Sequence, residues 1–377
     1  MKKLGIGFLA ITLVALFAMP AAAEFQPYGS MRLAVGWWDF DDNAGNEYDT
    51  IMEELGDFSR FGAKWKGEEL SGHVEFGLKG DGRGSNSAYT RLLYGTWNFN
   101  GGSLMVGQNY TPYTFISDQM APRLKDLGGN HAEIDAENYF IGYGCLWDSR
   151  QPQIKVTLDS GLYLAAIQPD PEHYNLTVNG VPVVVDSGRA DLPKLCVGWE
   201  IKQDNMFLNP GFAWNQIQAT EAGVMDEEDL DSWLLYLNAK LALGPADVKG
   251  SLHYGQNVGN FGLWNREGAA YAQLNDTLDG FEDSDSYGGY VQCAFPLDPA
   301  TITLGVGYTT SENDMLSDGD EDDQMSYFVN AKIPFADKFW VIPEISYYDH
   351  GDDVVAGGDT TDGPEAWFAG ALLRMDF

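Results

Sequence analysis

Cysteine is scarce in this chain, with three in 377 residues, Cys145, Cys196 and Cys293. An odd number excludes a complete disulfide framework in an exported protein. No CxxC motif and no His/Cys cluster stands at zinc-ligand spacing. The five histidines, His73, His131, His173, His253 and His350, are scattered, and no Ser/His/Asp arrangement can be placed from their spacing. Positive charge is also scarce. Lys+Arg number 22 against 56 Asp+Glu, a formal charge of −34, which excludes nucleic acid as a partner. Beyond Met19 there is no apolar run of about 18 residues, so a helical membrane protein is excluded. Acidity can mean disorder, but 13% aromatic residues is too rich for that.

The first residues have the form of an export signal. Lys2 and Lys3 give a positive start, Leu4 to Met19 is apolar, and Ala21, Ala22 and Ala23 supply the small residues of a cleavage site. Residues 1–23 are therefore expected to be a signal peptide and 24–377 the mature chain. A membrane-anchoring helix is the alternative, but the stretch is short for a span and Pro20 with the alanines suits cleavage. Without Lys2 and Lys3 the chain keeps 20 basic residues against 56 acidic ones, a formal charge of −36.

From Tyr28 onward, apolar and polar residues alternate in segments of about ten, the pattern of strands with one face to lipid and one to water. In the last segment Trp367, Ala369, Ala371, Leu373, Met375 and Phe377 share one face, and Phe368, Gly370, Leu372, Arg374 and Asp376 the other. The same phase recurs at Met31–Trp37, Phe61–Trp65, Val74–Leu78, Trp233–Leu241 and Ile302–Tyr308. Short turns are expected at 67–69, 100–102, 159–161, 203–205, 244–246, 296–299 and 335–337. Longer loops are expected at about 39–57, 81–87, 110–149, 169–192, 220–229, 258–284, 311–323 and 350–364. Short turns on one rim and long loops on the other predict an all-β transmembrane antiparallel barrel of about sixteen strands. Trp37, Trp38, Trp65, Trp97, Trp340 and Trp367 fall near strand ends, where interfacial girdles form.

Residues 59–64, Ser-Arg-Phe-Gly-Ala-Lys, with Glu68, Glu69 and Leu70, resemble the early hairpin of the general bacterial porins, which reads SRFGFKG before an E-D-L type turn. Residues 91–95 through 104–108 are similar to the family's next hairpin, and the terminal strand ending on Phe377 is also similar. The likeness is best over about 28–110 and at the C-terminus. It implies sixteen strands, a homotrimer, and a long third loop folded into the lumen, here Tyr110 to Ser149. A structureless connection of ~40 residues is otherwise improbable unless functional. Lys125–Asn130 loosely resembles the loop tip of enteric porins, with Asp126 at its Glu position and Asn130 at its Asp position. The family's second long loop grips the neighbouring subunit; only Asp81 to Ser87 stand at that place here.

By alternation, Arg32, Arg60, Lys64 and Arg91 form a basic ladder on the lumen wall, faced by Asp118, Asp126, Glu133, Asp135 and Glu137 of the inward loop. Opposed charges across a narrow gap set up a transverse field that orients water and dipolar solutes. The reading is an outer-membrane porin for passive diffusion of ions and small hydrophilic solutes, and not an enzyme. A lean toward cations is expected because the acid is concentrated in loops such as 318–323 and at Asp39, Asp41 and Asp42. A substrate-selective porin for sugars or small acids is the alternative, with Tyr89, Trp97, Trp214 and Tyr236 as lining candidates; a barrel sheathing a redox partner and an outer-membrane enzyme are more distant readings. The partners expected are the lipid bilayer with its lipopolysaccharide, permeating solutes and further copies of the chain. No cofactor is expected beyond calcium held loosely at acidic loops, which lack the D-x-D-x-D-G spacing. Cys145 and Cys196 are the one pair placed to bridge loop and wall.

Overall fold

The computed structural model describes residues 24–41, 47–80, 87–121, 123–126, 133–135, 141–169, 175–178, 181–184, 190–221, 225–263, 269–274, 280–313, 321–355, 359–363 and 365–377. The expected signal peptide lies outside them. Sixteen strands form one closed antiparallel sheet. They are β1 (Glu24–Asp41), β2 (Glu47–Lys66), β3 (Leu70–Gly80), β4 (Ser87–Phe99), β5 (Gly102–Tyr110), β6 (Arg150–Leu158) and β7 (Leu162–Ile167). Next come β8 (Lys194–Trp199, continued as Ile201–Gln203), β9 (Met206–Glu221), β10 (Met225–Ala242), β11 (Asp247–Gln256) and β12 (Asp285–Leu297). The last are β13 (Ala300–Glu312), β14 (Glu321–Ala336), β15 (Phe339–Asp349) and β16 (Glu365–Asp376). Each pairs with its sequence neighbour, and β1 closes the ring on β16 from Ser30↔Asp376 to Asp41↔Glu365. Phe377 extends the seam, exchanging backbone hydrogen bonds of 2.9 and 3.0 Å with Gly29.

The alternation decides which residues enter the lumen. On β8, Lys194, Cys196 and Gly198 are buried while Leu195, Val197 and Trp199 are exposed outward. Rows of exposed aliphatic side chains continue outside at Leu93, Ile154, Leu164, Leu252 and Ile345. An aromatic belt follows the long-loop side of this surface. Trp233 contacts Tyr254, Tyr287 contacts Tyr308, and Tyr327, Tyr347 and Trp367 run in sequence, with Tyr347 and Trp367 4.8 Å apart. Such a belt belongs at the boundary of hydrocarbon and headgroups.

Several expectations need correction, among them the girdle place of Trp38 and Trp340, which point into the lumen, and the loop at 220–229, where β9 and β10 stay paired at Gln218↔Asp229 and Ala219↔Glu228. The first long loop does not begin at 39 or end at 57, because β1 and β2 remain paired from Trp37↔Ile51 up to Asp41↔Glu47. This acidic stretch lies beyond the aromatic belt, where both faces of a hairpin can be wet and apolar alternation is not needed. The Cys145–Cys196 bridge is not formed, and all three thiols are free. Cys196 sits beneath Tyr236, its Sγ 3.3 Å from the hydroxyl, whereas Cys145 packs with Ile141 and Tyr290 in a separate cluster. A lipid-facing test follows from Leu252, which is 61% exposed at mid-strand. Leu252→Arg is expected to lower stability by about 2–4 kcal/mol in equilibrium unfolding from phospholipid vesicles; an unchanged midpoint would show that this face does not meet lipid.

Candidate pore and its constriction

The described limbs of the connection between Tyr110 and Arg150, residues 111–121 and 141–149, lie against the inner wall of the barrel, and most of their hydrogen bonds run to β8–β15. Leaving β5, its outgoing limb follows the wall from β9 to β15. Asn209 donates to the Pro112 carbonyl at 3.1 Å, and the Tyr290 hydroxyl to that of Ile116 at 2.9 Å. The Asp118 amide donates to Gln292 at 2.8 Å, and Asn330 donates to the Asp118 carbonyl at 2.9 Å. Glu344 then accepts the amides of Met120 and Ala121 at 2.5 and 2.7 Å, together with Asn330 and Ser346. The return limb is held by Ser326 to the Tyr143 amide and by Tyr143 to His350. Lys194 is paired with Asp148 at 2.9 Å, and Tyr113 donates to the same carboxylate. Burial and that neighbouring carboxylate hold the Tyr113 phenol well above its ordinary range. Loop backbone comes so close to the wall that a Cβ on Gly307 would strike the Tyr143 carbonyl.

Apolar packing completes the dock. Met120, Ala121 and Tyr143 enter a cluster with Ala34, Trp38, Phe40, Tyr348, Ala366, Phe368 and Leu372. Tyr113 and Leu146 enter a second with Tyr163, Cys196, Leu234, Tyr236 and Phe261. Inward residues expected to face water, Phe368 and Leu372 among them, are thus covered. Of the proposed solute-lining aromatics, Trp97 and Trp214 point outward and Tyr236 is sealed beneath the loop; Tyr89 alone stays on the charged wall, its hydroxyl accepting from Arg91.

Beside the loop's apolar contact with Ala34, Trp38 and Phe40 on β1, the rest of the β1–β4 wall carries the predicted ladder. Glu75 on β3 collects Arg91 at 2.7 Å, Arg60 at 3.5 Å and the Tyr28 hydroxyl at 2.7 Å. Arg91 also reaches Tyr110, and its side chain is only 3% exposed, so it is a member of the wall. Arg32 is likewise buried, donating to Ser30, which in turn donates to Asp376. Arg60, at 23% exposure, and Lys64 reach lumen water. Arg374, paired with Asp376 at 2.6 Å, extends the row on β16. A register shift between Glu75 and Phe76 turns Arg91 inward; without it the outward phase of Leu93 and Trp97 would carry Arg91 to lipid.

Among the acidic loop residues, Asp118 does not face the ladder. It pairs with Lys249 at 3.0 Å and takes the Gln292 amide on the opposite wall. Asp126, Glu133 and Asp135 lie in a small hairpin, Arg123–Asp126 with Glu133–Asp135, described by backbone only. Glu137, Asn130 and the Gly-Gly tip lie outside the described residues, as do the acidic residues 318–320. The sequence places Glu75, Lys240 and Arg374 on the water-facing phase but assigns them no pore role, and it does not single out Glu344, Lys249 and Lys332; inward phase is the available signal. Among the described residues no group of three or more His, Cys, Asp and Glu side chains gathers as a metal would require.

This is the fold of the outer-membrane porins, a closed sixteen-stranded barrel narrowed by its third long loop. No protein-family model and no curated protein matches the sequence. Among solved structures, the outer-membrane channel DcaP of Acinetobacter baumannii is similar with a TM-score of 0.66 and 17% identity, over 95% of this chain and 99% of that one. The trimer form of OmpT, an outer membrane protein of Vibrio cholerae, gives 0.54 and 18%, over 94% and 100%. An anion-selective porin from Comamonas acidovorans gives 0.55 and 12%, over 94% and 100%.

Glu344 makes the loop's anchorage testable. Glu344→Ala strips two buried amides of their acceptor, a loss of about 1–3 kcal/mol for each. Burial pushes the Cys145 thiol up to about 11, so at pH 8 a polar maleimide is expected to leave it unlabelled in the parent and to label it in Glu344→Ala. Equal protection in both would show that Glu344 does not hold the loop.

Proposed function

We propose that the chain is a passive, water-filled channel of the bacterial outer membrane for ions and small hydrophilic solutes, with a narrow zone that prefers anions. The observation that carries this reading is the one-sided docking of the loop. Its two described limbs are hydrogen-bonded to β8–β15 and the segment following β11 and reach β16 and part of β1 through one apolar cluster, while the rest of the β1–β4 wall keeps Arg60 and Lys64 in contact with lumen water. At the level of the Glu75 cluster, among the described side chains, that wall and Arg374 set Arg32, Arg60, Lys64, Arg91 and Arg374 against Glu75 and Asp376. A partly desolvated wall of one sign governs which ion enters a constriction. Net charge had suggested the opposite preference, but much of the acid is in loops and rims, where it gathers cations at the mouth without lining the gap. The channel works through hydrated charge and needs no catalytic group. A homotrimer in contact with lipopolysaccharide is part of the same reading; the apolar outer wall and aromatic belt support the membrane setting, and the likeness to a trimeric barrel supports the assembly.

Planar-bilayer recording under a KCl gradient tests the channel. Discrete conductance steps and a reversal potential of the sign for chloride preference are expected. The double substitution Arg60→Gln and Lys64→Gln should lower the chloride-to-potassium permeability ratio roughly two- to three-fold. Potassium preference in the parent, unmoved by the substitutions, would reject the assigned selectivity, and folded protein without conductance would reject the pore.

A further inference from the structure

Between the inward loop and the short turns, two lumen-facing lysines stand away from the arginine wall and a third stands beside its end at Arg374. Lys240 on β10 and Lys249 on β11 are directly paired across their strands, and Lys332 is on β14. Like charges facing each other across a ladder oppose folding, so this pair has no structural benefit by itself. Asp118 pairs with Lys249 at 3.0 Å, and it is also engaged by the Gln292 side chain. Lys240 and Lys332 are exposed, and neither forms an ion pair among the described residues.

Neutral rings hold these charges in place. The Lys240 and Lys249 ammonium groups lie 5.3 and 5.6 Å from the centroid of Phe115. Phe115 is itself fixed by stacking on Phe207 and Tyr290, at 6.1 and 6.4 Å. Trp340 similarly holds Lys332 at 4.9 Å and Arg374 at 5.3 Å. An aromatic face fixes an ammonium group by its quadrupole but does not neutralise it. The ordering entropy is therefore met before a solute arrives, as a preorganised site requires.

We propose that Lys240 and Lys249, with Lys332 beyond Asp118, form an oxyanion-binding subsite on the short-turn side of the loop, taking the carboxylate or phosphate group of a small solute. The oxygens accept the ammonium hydrogens that Asp118 leaves free, bridging the two paired lysines and relieving their repulsion. Its role in passage rests on the channel reading; binding does not.

The test uses the full-length barrel folded in detergent with ¹³C,¹⁵N-labelled lysine, which leaves the ammonium hydrogens in place. Lys240→Gln and Lys249→Gln assign the two signals. Inorganic phosphate and, separately, acetate are titrated. Saturable movement of both signals is expected, and Lys240→Gln should raise the half-saturating concentration read at Lys249 roughly 3–10-fold. Saturation by phosphate alone supports a site for dianions, and saturation by both supports a site open to carboxylates. No movement with either anion, or movement that is unsaturable and unchanged by Lys240→Gln, overturns the subsite. In bilayers, conductance without phosphate block from the short-turn side overturns its role in passage. Folded protein without conductance would overturn the channel while leaving the binding result in force.

Discussion

A backbone inside hydrocarbon has no water to bond, so each strand that crosses must find a partner on both sides. The β1–β16 seam meets that requirement and everything else depends on it. From Ser30↔Asp376 to Asp41↔Glu365, and through Phe377 with Gly29, the first and last strands remove the two edges the sheet would otherwise expose. Closing on sixteen strands leaves an interior too wide for wall side chains to fill. The long connection after β5 occupies part of that space, and its own backbone groups then need partners in turn. Asn209, Asn238, Gln292, Ser326, Asn330 and Glu344 supply them from the wall.

The lumen is consequently divided by chemistry. Under the loop, amides, one carboxylate and three apolar clusters make an interior like that of a soluble protein. On the β1–β4 side the arginines are tied to Glu75, to Asp376 and to tyrosines. Glu75 is the member that lets the ladder fold, because Arg60 and Arg91 on the strands flanking β3 would otherwise meet without compensation. Arg32 and Arg91 are consumed largely in building this wall, whereas Arg60 and Lys64 keep their exposure to lumen water. Ladder and scaffold are therefore one arrangement with two kinds of member.

The barrel was legible in the sequence because lipid imposes a strict period of two and because turns and loops alternate in length. The limits of the third loop, after Tyr110 and before Arg150, were readable for the same reason. What strict alternation cannot show is a bulge. Arg32 is held where the β1–β2 register shifts, Ser59 bonding both its amide and its carbonyl, and Arg91 turns inward only at the shift between β3 and β4. Nor does alternation say which lumen residues a loop will cover. Phe368 and Leu372 have the same phase as Arg374, yet the former lie in the dock and the latter lines the gap. Glu344 has no local signal of its role, since its two amide partners are more than two hundred residues away in the chain.

The acidity of the chain and the basicity of its narrow zone follow from the same geometry. Charged side chains within the membrane-spanning span must point inward, and there they are paired or hydrated. Carboxylates beyond the belt carry no such restriction, and Asp39, Asp41 and Asp49 lie at the far end of the β1–β2 hairpin. At about 3.3 Å per residue, Asp39 is roughly 20 Å along the strand from Arg32. Screening in physiological salt acts over ~8 Å, so the rim field has largely decayed before it reaches the ladder. On the proposed reading the two regions act in series on a passing ion, the rim setting its concentration at the mouth and the wall charges its energy in the gap. Formal charge summed over the whole chain therefore describes the mouth, and on the proposed reading selectivity rests with the few basic groups of the β1–β4 wall.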